Sequence, residues 1–193
     1  MEREIVITGI GGQGVQLLAK LLAQAAVREG RQVMTFGMFM GTIRGGSSES
    51  TVVVADADIV SPPIVPRLWA VLAMHGAGLP ALARKVRPGG VLVFNRSLVS
   101  EPAGWDEMHR IAIPATEMAK AMGQVLGAGM IALGAFARAT GIVAVDSLET
   151  ALADVLPAHR RKLIDSNARA IARGAEYAAA GVSAPGAQAW APS

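Results

Sequence analysis

The residues best suited to hold an anion lie near the start of the chain. They have the G-x-G-x-x-G spacing, follow an apolar run at 5–8 and precede an amphipathic run at 15–28; they are Gly9, Gly11, Gly12, Gln13 and Gly14. In a strand–turn–helix unit, such glycines allow a tight turn, a close backbone approach to a phosphate and close helix–strand packing. The helix N-terminus adds free N–H groups and partial positive charge. The pattern predicts a phosphate-binding turn, or glycines that serve packing alone.

A nicotinamide cofactor is disfavoured by the residues beyond this turn. A dinucleotide site usually has an Asp or Glu at the end of its second strand, about 20 residues further on, to bind the ribose hydroxyls. Residues 33–41 end the second predicted strand and contain neither an acid nor an arginine. The sequence therefore argues against a usual NAD or NADP site.

A second candidate region is the stretch GTIRGGSSESTVVV at 41–54. Arg44 is a lone cation among glycines and hydroxyls, and Gly45 and Gly46 come directly after it. Such a loop suits a guanidinium offered to a phosphate or carboxylate. An ordinary exposed turn is the alternative.

The remaining pattern alternates between strands and helices. Strands are predicted at 5–8, 32–37, 50–55, 68–74, 91–95 and 109–114, with a loop at 38–50 and an RPGG turn at 87–90. Helices are predicted at 15–28, 78–86, 115–123, 129–141, 147–157 and 160–178, with Gly30 closing the first and Thr116 and Ser147 as caps. The sum is an α/β fold: a three-layer, Rossmann-like domain with a mostly parallel central sheet and a helical C-terminal region. Residues 1–180 form this single domain, and residues 181–193 are interpreted as a C-terminal tail.

Composition excludes several classes of protein. The chain has 193 residues, 52% of them hydrophobic and 17% charged, which fits one folded domain. It has no cysteine, so it supplies no thiolate nucleophile and no iron–sulfur ligand. The basic cluster at 159–162 is interpreted as a solvated helix face, and no basic stripe indicates nucleic acid. No apolar run suits a membrane span and the start does not resemble a signal peptide, so we expect a cytoplasmic protein.

Other side chains with catalytic potential form no recognisable site. His75, His109 and His159 lack the spacing of metal ligands, so no metal site is predicted. The serines near residue 48 lack the G-x-S-x-G context of a nucleophile. No residue is assigned a catalytic role.

The two glycine-rich regions together resemble the gamma subunit of the 2-oxoacid:ferredoxin oxidoreductases, the group that includes the pyruvate, 2-oxoglutarate, branched-chain and indolepyruvate enzymes. The resemblance rests on GIGGQG with its helix and on RGG before a TVVV strand. The RPGG segment, Ile113–Pro114 and the LGA at 133–135 support it. It spans about residues 5–177. Two departures are Ile43, where the family often has Met, and Gly129, where it often has Asn.

This resemblance implies a subunit that is inactive alone. Thiamine diphosphate with Mg, and the iron–sulfur clusters, would lie on partner subunits, and electrons would leave through ferredoxin or another acceptor. Coenzyme A would be a co-substrate at the glycine turn, while Arg44, Gly45 and Gly46 would face the active site of the complex. A stand-alone Rossmann-type nucleotide-binding protein or dehydrogenase, and a purely structural scaffold subunit, remain as alternatives.

Overall fold

A computed structural model describes residues 1–40, 47–62, 64–100 and 103–181. Its strands are β1 (Glu2–Ile10), β2 (Gln32–Met40), β3 (Ser47–Ala55), β4 (Leu68–Ala73), β5 (Val86–Asn95) and β6 (His109–Ile113). Its α-helices are α1 (Val15–Arg28), α2 (Leu79–Ala83), α3 (Ala115–Ala121), α4 (Ala128–Thr140), α5 (Val145–Val155) and α6 (Ile164–Gly181). Short 3₁₀ helices precede α4, at Val125–Gly127, and α6, at Ala158–Leu163. The predicted α/β fold is confirmed.

The strands form one sheet in the order β2-β3-β1-β4-β5-β6. β1, β4, β5 and β6 pair in parallel, whereas β3 runs antiparallel to both of its neighbours, β1 and β2. The sheet is therefore mostly parallel, with β3 as its reversed strand. The chain leaves β1 towards one edge and later returns to β4 on the other side. The carboxyl ends of β1 and β4 thus lie at a switch point, where open α/β sheets bind ligands.

The two faces of the sheet are covered unequally. One face carries a large core shared with α1, α4, α5 and α6, in which Leu22, Phe136 and Ile171 are fully buried. The other face carries a smaller core, covered by the short α2 and by loop residues such as Trp105. The three-layer arrangement is present, but its second helical layer is thin.

The first helix agrees with its predicted bounds. Its buried residues recur every three or four positions, from Val15 to Ala26, and face the sheet. Gly30 adopts φ 78°, and the N–H groups of Gly30 and Arg31 donate to Val27 O and Ala26 O. This is a Schellman ending, which favours glycine.

Several local predictions are wrong. In the predicted loop at 38–50, residues 38–40 and 47–50 are strand, because β2 and β3 pair as far as Met40 and Ser47, and residues 41–46 lie outside the described residues. The RPGG segment lies inside β5, where the pairing register with β4 shifts, so these glycines make an irregularity and not a turn. The cap positions of α3 and α5 are Pro114 and Ala144, neither with a side-chain cap, so the predicted caps Thr116 and Ser147 are wrong.

Candidate functional site

A cleft of about 310 Å³ opens at the switch point. It is lined by residues at or after the ends of β1, β4 and β5, by residues at the start of α1, α3 and α4, and by one residue from each 3₁₀ helix; they are Gly12, Gln13, Gly14, Leu17, Met74, Asn95, Leu98, Thr116, Leu126, Ala128, Gly129 and Arg160. None of these carries a carboxylate. The cleft therefore joins the predicted glycine turn to residues far away in the sequence.

The turn needs glycine for two separate reasons. Gly12 and Gly14 have φ of 93° and 73°, in the left-handed region that favours glycine. Gly9 is buried at the end of β1, where an added Cβ would lie 2.6 Å from Gln13 Oε1 and 3.0 Å from Val15 Cγ2. Gly9 thus allows close packing of helix and strand, and Gly14 shapes the turn.

The turn ends at the N-terminus of α1, and Gly12, Gln13 and Gly14 of the turn line the cleft. Leu17 and Leu18 N–H make the first helical bonds, both to Gly14 O. The amides that come before Leu17 have no carbonyl partner within α1. They lie at the positive end of the helix dipole. An anion in the cleft would meet these groups.

Gln13 braces the turn with both ends of its side-chain amide. Its Oε1 accepts a hydrogen bond from Ile10 N–H at 2.9 Å, and its Nε2 donates to Met74 O at 3.3 Å. These bonds tie the turn to the end of β4. Gln13 therefore lines the cleft while its polar atoms are used in holding the turn in shape.

The far wall of the cleft is built by β5 and α3. Asn95 is fully buried; its Nδ2 donates to Thr116 Oγ1 at 2.8 Å, and its Oδ1 accepts from Thr116 N–H at 3.3 Å. Asn95 thus satisfies an amide in the first turn of α3, which is a cap supplied from another element. The sequence contained a polar residue at a strand end, but its partner 21 residues further on was visible only in the fold.

The start of α4 packs directly on the turn. Gly129 is buried, and an added Cβ would lie 3.1 Å from Leu18 Cδ1 and 3.5 Å from Gln13 O. A larger residue at this position would require the Leu18 side chain to shift. Gly129 therefore allows a close contact between the two helix N-termini that face the cleft.

Arg160 supplies the cleft with a full positive charge. It lies on the 3₁₀ helix Ala158–Leu163, is exposed, and lines the same cleft as the glycine turn. Its basic cluster was expected, from the sequence, to be only a solvated face. Leu98 and Leu126, which are 48% and 92% exposed, line the same cleft. A ligand with anionic and apolar parts would match both sets of groups.

The hairpin that carries the second predicted region is anchored to α1. Gln16 Nε2 donates to Glu49 O at 3.2 Å, and its Oε1 accepts from Ser50 Oγ at 2.8 Å. Burial raises the pKa of the Glu49 carboxyl, and the charge of Lys85 opposes that rise. The part of β3 around Glu49 and Ser50 is thereby held beside the first helix.

The predicted site residues divide into three groups. Gly12, Gln13 and Gly14 line the cleft. Gly9 and Gly11 are not among the residues that line it: Gly9 is buried and Gly11 is exposed to solvent. Arg44, Gly45 and Gly46 lie outside the described residues. Within the described ranges, no cluster of three or more His, Asp or Glu residues could hold a metal ion, and no helix is long and apolar enough to cross a bilayer.

Comparisons with known proteins identify relatives of the whole domain. Residues 4–177 match the model of the pyruvate ferredoxin/flavodoxin oxidoreductase family. Ketoisovalerate oxidoreductase subunit VorA of Methanothermobacter thermautotrophicus is 31% identical over 179 residues, which cover 92% of this chain and 36% of VorA. The 2-oxoglutarate synthase subunit KorC of the same organism is 32% identical over 165 residues, 81% of this chain and 86% of KorC.

A solved structure agrees with these matches. The gamma subunit of a keto/oxoacid ferredoxin oxidoreductase from Geobacter sulfurreducens is 28% identical and superposes with a TM-score of 0.79. The similarity covers 93% of this chain and 98% of that one. The present chain spans little more than a third of VorA but most of KorC. On the matched residues, this chain belongs to the pyruvate ferredoxin/flavodoxin oxidoreductase family, whose members similar to it are subunits of 2-oxoacid oxidoreductase complexes.

Proposed function

We propose that this chain is the gamma subunit of a multi-subunit, thiamine-diphosphate-dependent 2-oxoacid:acceptor oxidoreductase. The complex oxidatively decarboxylates a 2-oxoacid to its acyl-CoA. This chain shapes the active site and contacts coenzyme A through its cleft. The observation that carries the proposal is the cleft itself, which places the glycine turn, the start of α4 and Arg160 around one space.

The cleft suits the chemistry of coenzyme A. Its diphosphate would lie at the turn, where Gly12 and Gly14 leave the backbone uncovered and the α1 amides are free of helical partners. Arg160 would pair with a phosphate, and the exposed Leu98 and Leu126 would contact the apolar pantetheine arm. Gly9, Gly11 and Gln13 would support the turn from behind and beside it.

The redox cofactors are assigned to partner subunits. The chain has no cysteine with which to ligate an iron–sulfur cluster. The clusters would therefore lie on an iron–sulfur subunit, which would pass electrons to ferredoxin or another acceptor, and thiamine diphosphate with its Mg ion is proposed to lie on the catalytic subunit. The residues of this chain bind and orient, and none of them is assigned a bond-making step.

Arg44, Gly45 and Gly46 are proposed to face the catalytic subunits. They link β2 to β3, and Gln16 of α1 is hydrogen-bonded to Glu49 and Ser50 of β3. Arg44→Ala should leave the melting temperature of the isolated chain unchanged and should lower turnover of the assembled complex or raise its KM for the 2-oxoacid or coenzyme A. Arg44→Lys should rescue only part of the loss, because an ammonium cannot replace a bidentate guanidinium. Wild-type kinetics from an Arg44→Ala complex would contradict this assignment.

Two alternatives make different demands on the structure. A stand-alone dehydrogenase of Rossmann type would place a ribose-binding acid at the end of a parallel strand beside β1. Here the neighbour on that side is the antiparallel β3. A scaffold subunit would leave the cleft without a ligand, and binding measurements separate it from the proposal.

The experiment is purification of the chain with its companions from its native host. Identified companions should include a thiamine-binding and an iron–sulfur subunit, and the complex should reduce a viologen dye with a 2-oxoacid and coenzyme A. The chain alone should not. Purification without such companions, or turnover by the chain alone, would overturn the proposal.

A further inference from the structure

The hydrogen bonds between Asn95 and Thr116 fix which way the protons of this pair are shared. The backbone N–H of Thr116 can only donate, so the oxygen of the Asn95 amide must face it, at 3.3 Å. The NH₂ end of the same amide then faces Thr116 Oγ1, at 2.8 Å. Thr116 Oγ1 is therefore the acceptor in this second bond, and its own proton must point elsewhere.

The proton of the Thr116 hydroxyl has no acceptor on this chain. Among the described residues, Thr116 Oγ1 accepts a hydrogen bond from Asn95 and donates none. Thr116 is the second residue of α3, is half-buried and lines the cleft. Asn95 is fully buried and uses both ends of its amide on Thr116, so it holds the hydroxyl in one orientation. The proton is thus left for an acceptor within the cleft.

The other polar side chains of the cleft also lack a free acceptor. Gln13 Oε1 accepts from Ile10 N–H, and Asn95 Oδ1 accepts from Thr116 N–H. No carboxylate lines the cleft, and the guanidinium of Arg160 can only donate. A ligand would therefore meet side chains that donate hydrogen bonds, which matches an anionic oxygen and not a group with protons to share.

We propose that the Thr116 hydroxyl donates a hydrogen bond to an anionic oxygen of the ligand in this cleft, and that Asn95 is the positioning residue that orients it. The proposal rests on the proposed function, since it takes a phosphate-bearing ligand as the occupant. Donors to that ligand then come from α1, from α3 and from the 3₁₀ helix that carries Arg160.

The test is calorimetric titration of two probes, inorganic diphosphate and coenzyme A, into the purified full chain. Thr116→Val keeps the shape of the side chain but removes the hydroxyl, and it should lower the affinity for both probes about ten- to a hundredfold. Thr116→Ser keeps the hydroxyl and should bind both probes like the wild type. Thr150→Val is the matched control: it removes an exposed threonine hydroxyl from α5, outside the cleft lining, and should leave both affinities unchanged.

A further variant separates ligand contact from loss of the Asn95–Thr116 pair. Asn95→Ala breaks the same pair and also leaves a cavity at a fully buried site, so it should lower the denaturation midpoint more than Thr116→Val does. It keeps the Thr116 hydroxyl, and its affinity for diphosphate should therefore fall less. A lower diphosphate affinity in Asn95→Ala than in Thr116→Val would overturn the donor role. If Asn95→Ala fails to fold, the comparison of Thr116→Val with Thr116→Ser still decides the question.

Failure of this inference and failure of the proposed function give different results. Wild-type affinity of Thr116→Val for both probes would overturn the inference and leave the coenzyme A site in place. Diphosphate binding that depends on the Thr116 hydroxyl, without any binding of coenzyme A, would support the inference and contradict the proposed function. Binding of neither probe to the wild type would overturn both.

Discussion

Glycine serves one purpose beside the cleft and another where α4 crosses α6. At the turn, Gly12 and Gly14 have nothing within 4 Å of an added Cβ, and what they supply is a left-handed backbone. At the helix crossing, an added Cβ on Gly134 would lie 2.0 Å from Ile171 O, and one on Gly174 would lie 1.8 Å from Ile131 O. The turn leaves space for a ligand, while the crossing has no space at all. Gly9 lies between these cases, because it packs the helix that presents the turn.

The largest expected effect is at the helix crossing. Gly174→Ala should destabilise the fold by about 3 kcal/mol, because the new methyl group cannot coexist with Ile131 O unless α6 moves away from α4. Chemical denaturation of the purified chain measures this. Arg173→Ala, at an exposed neighbouring position, is the control and should change stability by less than about 0.5 kcal/mol. Equal denaturation midpoints for Gly174→Ala and the wild type would show that α6 can separate from α4 at no cost.

A smaller effect is expected at Gly9. Gly9→Ala should cost about 2 kcal/mol, since its Cβ meets Gln13 Oε1 and Val15 Cγ2. It should also weaken ligand binding, because Gln13 must release the turn. Gly76→Ala is the control: the nearest atom to its added Cβ is Val99 Cγ1 at 3.9 Å, and its stability should match the wild type. If both variants behave alike, Gly9 has no packing role.

The next prediction separates bracing from direct ligand contact. Gln13→Ala should cost about 1 kcal/mol through loss of its bonds to Ile10 N–H and Met74 O. Gln13→Glu keeps an acceptor for Ile10 N–H but puts a negative charge into the cleft. For Gln13→Glu, the loss of binding free energy for coenzyme A should therefore exceed the loss of unfolding free energy. Gln24→Ala, which removes a surface hydrogen bond from the same helix to Asp154, is the control and should change neither quantity. If Gln13→Ala were as stable as the wild type, the claim that Gln13 holds the turn in shape would be contradicted.

The local sequence pattern predicted the part of the cleft formed by the glycine turn and α1, but not the part formed by β5, α3, α4 and Arg160. The glycine turn and α1 were predictable because spacing, apolar periodicity and Gly30 all act within a short stretch. Asn95, Thr116, Gly129 and Arg160 were not, because each joins the cleft through the packing of distant elements. Arg160 in particular belongs to a basic cluster whose usual place is solvent.

The misjudged segments have a related cause. Residues 38–50 are rich in glycine and serine, which favour loops, yet β2 and β3 pair at 38–40 and 47–50, the parts of this stretch that the structure describes. The RPGG segment has turn composition, but pairing on either side of it absorbs the irregularity into β5. The packing roles of Gly134 and Gly174 could not be predicted, because only the helix crossing shows why a side chain is excluded.

Arg160→Ala is the variant for which we expect the smallest change in stability, and it gives the most direct test of ligand binding in the cleft. Arg160 is exposed, so Arg160→Ala should leave the denaturation midpoint unchanged. Its matched control is Arg161→Ala, which removes an exposed arginine from the same 3₁₀ helix but outside the cleft lining. The measurement is calorimetric titration of coenzyme A into the purified chain and into its assembled complex. We predict binding to the wild type and to Arg161→Ala, and affinity about ten- to a hundredfold lower for Arg160→Ala. No binding to the wild-type complex, or equal affinity for both arginine variants, would contradict a coenzyme A site in this cleft.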